Sequence, residues 1–328
     1  MKVVYFKKTI TVAASSGNAS SFKTLLSNTY SNSITESVQL RLQYEQFKSS
    51  LSSSELSTAA SMILDGLQKD GLAQESNQDE QTILTIAQTL DVISTDFTAI
   101  NSTSIVSRSF DIFKKIVVTE NDQISTSSLY RSFSQEAVAN LFNYADKLLS
   151  SLSMVDSSLQ TTIKQTVQSG FEYVIRGSMI DQAPGDSAFT LTGTNIAIMS
   201  SKLTSTGFVG NQTVSGTAAM RRSLASAINV SIPSSAMTSK NYIQTIIIST
   251  KDPAYLFSTK HSEGVIKSPM VRVSLQEVDS LLATITDRSY SRQLSLANLS
   301  EPIQIEIPFS GTIGEKNTLM CGYTKSPG

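Results

Sequence analysis

The spacing of apolar residues changes near residue 180 of this 328-residue chain. Before that point they recur every three or four positions, which is the period of an amphipathic helix, and after it they alternate every second position, which is the period of a strand. Segregated runs of this kind favour two subdomains over an alternating α/β arrangement. The sequence therefore predicts an α+β fold, with an N-terminal helical bundle followed by a C-terminal antiparallel β-sandwich.

Each apolar stripe in the first half predicts one helix of the bundle, and together they predict about six. The stripe from Leu56 to Leu67 follows a capping-box pattern, Ser52-x-x-Glu55. The most regular stripe consists of Ile83, Ile86, Leu90, Ile93, Phe97 and Ile100. Further stripes lie within 106–117, 138–152 and 159–174, and a weaker one comprises Val38, Leu42 and Phe47. We expect these stripes to form the core.

Short alternating segments in the second half predict strands separated by turns rich in Gly, Ser and Asn, a pattern typical of a sandwich. They lie at 189–191, 196–198, 228–232, 271–275, 294–296 and 303–307, and Ile246 to Ile248 indicate a further, buried strand. The segment 303–307 is the clearest, because isoleucines occupy every second position between Pro302 and Pro308. This spacing places Gln304 and Glu306 on the opposite face.

A turn-rich linker at 181–186 divides the chain. We expect a helical subdomain over 31–182 and a β-sandwich subdomain over 183–328, with an N-terminal strand or linker at 1–30. The strand-like stretch 3–12 has two interpretations of equal weight: the last strand of an upstream domain, or a frayed terminus.

Composition excludes most catalytic and metal-binding templates, because the chain has one His, one Cys and no Trp. A structural zinc site needs about four Cys or His ligands. No nucleophile elbow, phosphate-binding loop, dinucleotide fingerprint or calcium loop is present, and the net charge of −1 disfavours a nucleic-acid partner. His261 lies in a polar turn and is interpreted as a solvated loop residue, and Asp79-Glu80 as a helix cap. We expect a non-enzymatic protein without cofactor or metal.

Four observations bear on the compartment. No apolar run is long enough to cross a bilayer, and the N-terminal apolar stretch is too short for a signal peptide. The chain is thus either cytosolic or a truncated piece of a longer secreted or membrane-anchored protein. The second is favoured by candidate glycosylation sequons at Asn18, Asn101, Asn211, Asn229 and Asn298. Cys321, the single cysteine, is either an unpaired thiol or has its disulfide partner beyond residue 328.

The order of the two halves, together with four short stretches, resembles the GAIN domain of adhesion G-protein-coupled receptors and polycystin-type proteins. The stretches are 195–198 with Phe208, 227–233, 299–307 and 317–323. The likeness covers residues 35 to 328. Polycystin-type chains, in which a REJ region precedes this module, are the more similar, and the stretch 3–12 would then derive from the REJ region.

The resemblance implies that 317–323 opens a GPS motif, with Cys321 as its first cysteine. The family's His-Leu-Ser/Thr cleavage tripeptide is absent, so autoproteolysis is not expected and no catalytic role passes to His261. The family's final strand is absent as well, which predicts an unpaired edge or an exposed apolar groove beside 303–307.

The implied function is that of a non-enzymatic extracellular module at the plasma or ciliary membrane, responding to a protein or glycan ligand or to force. Its parent protein would supply the GPS strand and a transmembrane region. The alternative is a cytosolic helical scaffold that binds partners by strand addition. A hydrolase would have to rest on residues that leave no motif.

Overall fold

A computed structural model describes residues 18–28, 33–71, 79–117, 133–179, 182–183, 185–204, 211–214, 228–231, 242–250, 270–278, 291–293 and 304–306. The chain divides into two compact units: the first comprises Met1–Asp181 and Thr284–Arg288, and the second comprises Gln182–Ala283 and Ser289–Gly328. The first unit is helical over its described residues, and the second contains antiparallel strands. The predicted α+β class is confirmed.

The described part of the first unit contains eight α-helices. They are α1 (Ala19–Asn28), α2 (Ile34–Phe47), α3 (Ser53–Gly66), α4 (Glu80–Ser94), α5 (Phe97–Ile100), α6 (Thr103–Val117), α7 (Gln135–Ser150) and α8 (Ser157–Ser178). Short turns of 3₁₀-helix at Lys48–Ser50 and Leu152–Met154, and a π-helical turn at Leu67–Gly71, extend three of them.

Side-chain caps fix where several helices begin. A Ser or Asp oxygen accepts a hydrogen bond from the backbone N–H three residues further on, which satisfies one of the unpaired donors of the first turn. The capping residues are Ser33, Ser52, Asp79, Ser134 and Asp156. The predicted capping box of Ser52 and Glu55 is confirmed, with both reciprocal bonds present, and so is the capping role of Asp79.

The predicted stripes of the later helices form the core of this unit. Aromatic rings meet at its centre, where the ring centroids of Phe113 and Tyr144 are 5.2 Å apart and those of Phe113 and Phe171 are 6.2 Å apart. Helices α6 and α8 approach each other closely at Gly170. A Cβ atom there would lie 2.5 Å from Cγ2 of Val117, so the position admits only glycine without a shift of its neighbours.

The helix predicted from the weak stripe is confirmed as α2, but the face assigned to the core is wrong. Val38, Leu42 and Phe47 are only half-buried, and the buried side chains of this helix are Ser37, Leu40 and Tyr44. The error arose because α2 carries apolar residues on two faces, so that spacing alone does not identify the face that packs. The buried face is marked by a hydrogen bond to another helix, since the hydroxyl of Ser37 donates to the carbonyl of Ile63 at 2.8 Å.

Two further differences concern helix boundaries. Residues 19–28, assigned from sequence to a strand or linker, form helix α1, which buries Phe22 and Leu26 one turn apart. The stripe of residues 83–100 belongs to two helices rather than one, because the chain turns at Thr95 and Asp96 before α5 begins. Its apolar residues are nevertheless all buried.

The described strands of the second unit form two antiparallel sheets. The strands are β1 (Phe189–Thr192), β2 (Ile196–Thr204), β3 (Asn211–Val214), β4 (Ile228–Ser231), β5 (Tyr242–Thr250), β6 (Met270–Val278), β7 (Ser291–Gln293) and β8 (Gln304–Glu306). One sheet has the order β1-β2-β5-β6-β7 and the other the order β3-β4-β8. The strand predicted at 294–296 lies outside the described residues.

The larger sheet is covered on both faces at its centre. Ile246, Ile247 and Ile248 are consecutive in β5 and all buried, although successive side chains of a strand point to opposite faces. The strand predicted there is confirmed. Lys202 of β2 is also buried, with 1% of its surface exposed, and its backbone carbonyl accepts from the N–H of Gly185 at 2.9 Å. Gly185 has a φ of +92°, so the turn before β1 needs glycine there.

Candidate functional site

The outer strand of the smaller sheet is exposed along its described length. Gln304, Ile305 and Glu306 of β8 are all exposed, and Ile305 keeps 42% of its surface in contact with solvent. Within the described residues β8 pairs only with β4, which leaves it at the edge of its sheet. Because many residues of the second unit lie outside the described ranges, the expectation of an unpaired edge or an apolar groove beside 303–307 stays a prediction.

The register with β4 gives this edge two chemically different faces. Ile305 lies opposite Val230, which is fully buried, so these two residues mark an apolar face. Glu306 lies opposite Asn229, and the Asn229 Nδ2 donates to Glu306 Oε2 at 2.9 Å. The strand predicted at 303–307 is confirmed at residues 304–306, the part of it that the structure describes, where all three residues are exposed.

The backbone of this strand carries the groups that strand addition uses. An edge strand presents unpaired backbone N–H and C=O groups on its outer side, and these can form a ladder with an added strand. On such a strand, Ile305 offers an apolar contact, while Glu306 offers a carboxylate that is already oriented by Asn229.

The structure places three of the five candidate sequon asparagines at positions where the side chain is described. Asn18 is exposed before α1, and its Oδ1 accepts from the backbone N–H of Ser21 at 2.8 Å. Asn101 is exposed after α5 in the left-handed region, with a φ of +46°. Asn229 is half-buried in β4. Asn211 begins β3, and Asn298 lies outside the described residues.

Sequence reasoning missed a relation between two of these sequons. Strands β3 and β4 pair so that Asn211 is opposite Ser231 and Thr213 is opposite Asn229. The asparagine position of each sequon therefore faces the hydroxyl position of the other, and all four positions share one face. Residue types alone cannot show this, because it follows from the register of two separate strands.

The remaining residues singled out from sequence are not placed. His261 and Cys321 lie outside the described residues, so the interpretation of the histidine and the pairing of the cysteine stay predictions. Over the described ranges, no group of three or more His, Cys, Asp or Glu side chains is arranged to hold a metal ion. No helix in the same ranges combines the length and the apolar character needed to span a membrane.

The titratable clusters of the first unit connect helices to one another. Asp96 Oδ2 accepts from the hydroxyl of Tyr44 at 2.9 Å and from Lys48 Nζ at 3.0 Å. Arg108 donates to Ser61, Asp65 and Gln68, which ties α6 to α3 and the turn after it. These carboxylates are engaged by cations or hydroxyl groups from neighbouring helices, which indicates a structural role.

Burial and caps account for the pKa shifts in this unit. Burial raises the pKa of Tyr144, and burial together with the nearby charge of Asp96 raises the pKa of Tyr44. Hydrogen bonds from the Ser52 backbone and side chain lower the pKa of Glu55, and those from Thr82 lower the pKa of Asp79.

No protein-family profile and no curated protein matches the sequence. Among solved structures, the chain has a weak similarity to the full extracellular region of zebrafish Gpr126/Adgrg6, an adhesion receptor, with a TM-score of 0.36 and 12% sequence identity. The alignment covers 61% of this chain and 28% of that one, so the chain spans less than a third of the length of the structure it matches. No residue role is transferred from it.

Proposed function

We propose that the chain is a non-enzymatic extracellular module, similar to the GAIN domain, of a polycystin-type or adhesion-type membrane protein, and that it acts in ligand- or force-dependent signalling. The observation that carries the proposal is the exposed edge strand β8, at the end of an antiparallel sheet unit that follows a helical unit along the chain. An extracellular protein or glycan would be the ligand, and the parent protein would supply a GPS-type strand and a transmembrane region.

The energetics of a short edge suit a releasable contact. β8 has three residues, and only alternate residues of an edge strand direct their backbone groups outward. Each hydrogen bond contributes about 0.5–1.5 kcal/mol net. A strand held at this edge would therefore be stabilised by only a few kcal/mol from its ladder, an amount that a ligand or a pulling force can offset.

The geometry at two sequons supports an extracellular location. Glycosylation attaches the sugar to Nδ2 of asparagine and leaves Oδ1 in place. Asn18 caps α1 through Oδ1, so a glycan there is compatible with the cap. Asn101 is exposed at the end of α5, where a bulky group meets solvent.

The same edge also supports a second function, that of a cytosolic helical scaffold that binds partners by strand addition. In that case the helical unit would serve as a rigid support, and β8 would take up an extended segment of the partner. The two proposals share the site and differ in the compartment.

Glycan mapping on the protein purified from its natural source separates them. Release of N-glycans by peptide-N-glycosidase in H₂¹⁸O converts each occupied asparagine to a labelled aspartate, which mass spectrometry of the peptides detects. The extracellular proposal predicts labelled Asn18 and Asn101, with a parallel digestion without glycosidase as the control. Unmodified asparagine at all five sequons would overturn it and favour the cytosolic scaffold.

A further inference from the structure

The three sequon asparagines whose side chains the structure describes have different surroundings. Asn18 and Asn101 are exposed, at the start of α1 and at the end of α5. Asn229 is half-buried in β4, and its Nδ2 donates to Glu306 Oε2 at 2.9 Å. From this contrast we propose that Asn18 and Asn101 accept N-glycans, whereas Asn229 carries no sugar and instead fastens β8 to β4 through its side-chain amide. The inference rests on the extracellular location proposed above.

Asn229 lies between two neighbouring strands. β4 is the middle strand in the order β3-β4-β8, so Asn229 is opposite Thr213 on one side and opposite Glu306 on the other. Residues directly opposite in antiparallel strands have Cβ atoms about 4.5–5.5 Å apart. A sugar attached to Asn229 would therefore have to leave the sheet between two cross-strand neighbours.

The side-chain amide of Asn229 already has a structural use. An asparagine amide nitrogen carries two hydrogens, and an N-glycosidic bond replaces one of them. The bond to Glu306 uses one hydrogen, so a sugar could replace only the other, which lies beside the same carboxylate. A hydrogen bond to a carboxylate is roughly twice as strong as one between neutral groups. Keeping the amide unmodified therefore preserves one of the stronger links between β4 and β8.

The structural contacts of the two exposed asparagines are made by other atoms. Asn18 caps α1 through Oδ1, which accepts from the backbone N–H and from the hydroxyl of Ser21. Asn101 ends α5 through its backbone N–H, which donates to the carbonyl of Phe97. A sugar on Nδ2 leaves both of these contacts in place, so glycosylation at Asn18 and at Asn101 is compatible with the fold.

Glycan mapping of the secreted chain tests the assignment. The full chain would be secreted from cultured animal cells behind an added signal peptide, which makes the result independent of the natural compartment. Peptide-N-glycosidase in H₂¹⁸O labels each occupied asparagine, and digestion without glycosidase is the control. We expect label at Asn18 and Asn101 and none at Asn229. Label at Asn229, or its absence from Asn18 or Asn101, would overturn the inference and leave the extracellular location to the mapping of the natural protein.

A charge substitution in the chain made in bacteria tests the structural use of the amide. Asn229→Asp places a second carboxylate opposite Glu306, and like charges directly opposite each other are destabilising. Hydrogen–deuterium exchange of the peptide that contains 304–306 should become about tenfold faster or more, the factor that corresponds to losing a hydrogen bond to a charged group. The matched control is Asn101→Asp, which should leave this exchange unchanged.

A second substitution separates the loss of this bond from general misfolding. Glu306→Gln, combined with Asn229→Asp, supplies an amide that can donate to the new carboxylate and removes the repulsion. The double variant should return the exchange of 304–306 toward the rate of the parent chain. Unchanged exchange in Asn229→Asp, or a loss of protection that Glu306→Gln does not reverse, would overturn the structural use of Asn229.

Discussion

The hydroxyl of Tyr44 donates to Oδ2 of Asp96 at 2.9 Å from a ring with no exposed surface. The bond joins α2 to the turn between α4 and α5, where a stripe predicted as one helix divides into two. Lys48 reaches the same carboxylate oxygen from the end of α2. The irregular turn is therefore held by side chains of another helix, although the local sequence would also allow a longer α4.

Removing this hydroxyl should destabilise the first unit. Tyr44→Phe leaves the ring in place and deletes one donor to a carboxylate, so we expect the free energy of unfolding to fall by about 1–3 kcal/mol. Lys48→Ala, which removes the half-buried donor to the same oxygen, should cost less than about 1 kcal/mol. Urea denaturation measures the free energy of unfolding of both variants. Equal losses of stability in the two would contradict the larger contribution assigned to the Tyr44 hydroxyl.

Alkaline pH should unfold the protein through its buried tyrosines. The pKa values of Tyr44 and Tyr144 are raised in the folded state, which therefore holds these protons more tightly than the unfolded state does. Their contribution to stability is complete below the unfolded pKa of about 10 and is lost as the pH rises above it. Tyrosinate absorbance should show these two of the ten tyrosines ionising only together with unfolding. Ionisation of both while the helical circular dichroism persists would refute this.

Gly170→Ala should destabilise α8 although alanine favours helices. The added Cβ would lie 2.5 Å from Cγ2 and 2.8 Å from Cβ of Val117, so α6 and α8 must separate. Overpacking of this kind costs about 1–3 kcal/mol, against a propensity gain of about 1 kcal/mol. Ser169→Ala, at an exposed position of the same helix, is the control and should change thermal stability little. A Gly170→Ala variant that melts at a higher temperature than Ser169→Ala would exclude the close approach.

The cap of α4 should make stability depend on acidic pH. Hydrogen bonds from the backbone and side chain of Thr82 lower the pKa of Asp79, so the stability that this carboxylate contributes is present above its unfolded pKa of about 3.9. It is lost as the pH falls through the lower folded pKa. Asp79→Ala should cost about 1 kcal/mol at neutral pH and progressively less in acid.

The matched control for this cap is Asp79→Asn, which keeps an oxygen acceptor without the charge. It should retain most of the stability and lose the pH dependence, as measured by urea denaturation between neutral and acidic pH. A pH profile of Asp79→Asn identical to that of the parent chain would show that another carboxylate is responsible.

The sequence predicted those features that depend on residues close together in the chain. The capping box at Ser52, the cap at Asp79 and the strand at 304–306 were all predicted, because each depends on residues a few positions apart. The packing face of α2 was missed because it depends on a contact between Ser37 and Ile63, which belong to different helices. Helix α1 was missed because a serine-rich segment reads as a linker until the partners of Phe22 are known.

The sequence predicted only part of the candidate site, because the rest depends on contacts between residues far apart in the chain. The isoleucine alternation indicated a strand, and an edge there was expected only from the resemblance, whereas the bond from Asn229 to Glu306 joins residues 77 positions apart. The opposition of the Asn211 and Asn229 sequons likewise depends on the register of β3 and β4. Such relations arise from tertiary pairing, which the spacing within one segment does not specify.

The compartment of the full-length protein tests the central proposal most directly. An antibody raised against the helical unit would be applied to intact cells that express the endogenous protein, and to the same cells after permeabilisation, with a cytosolic protein as the control for membrane integrity. The proposal predicts surface labelling of intact cells that brief external proteolysis removes. Labelling that requires permeabilisation and survives external protease would contradict it.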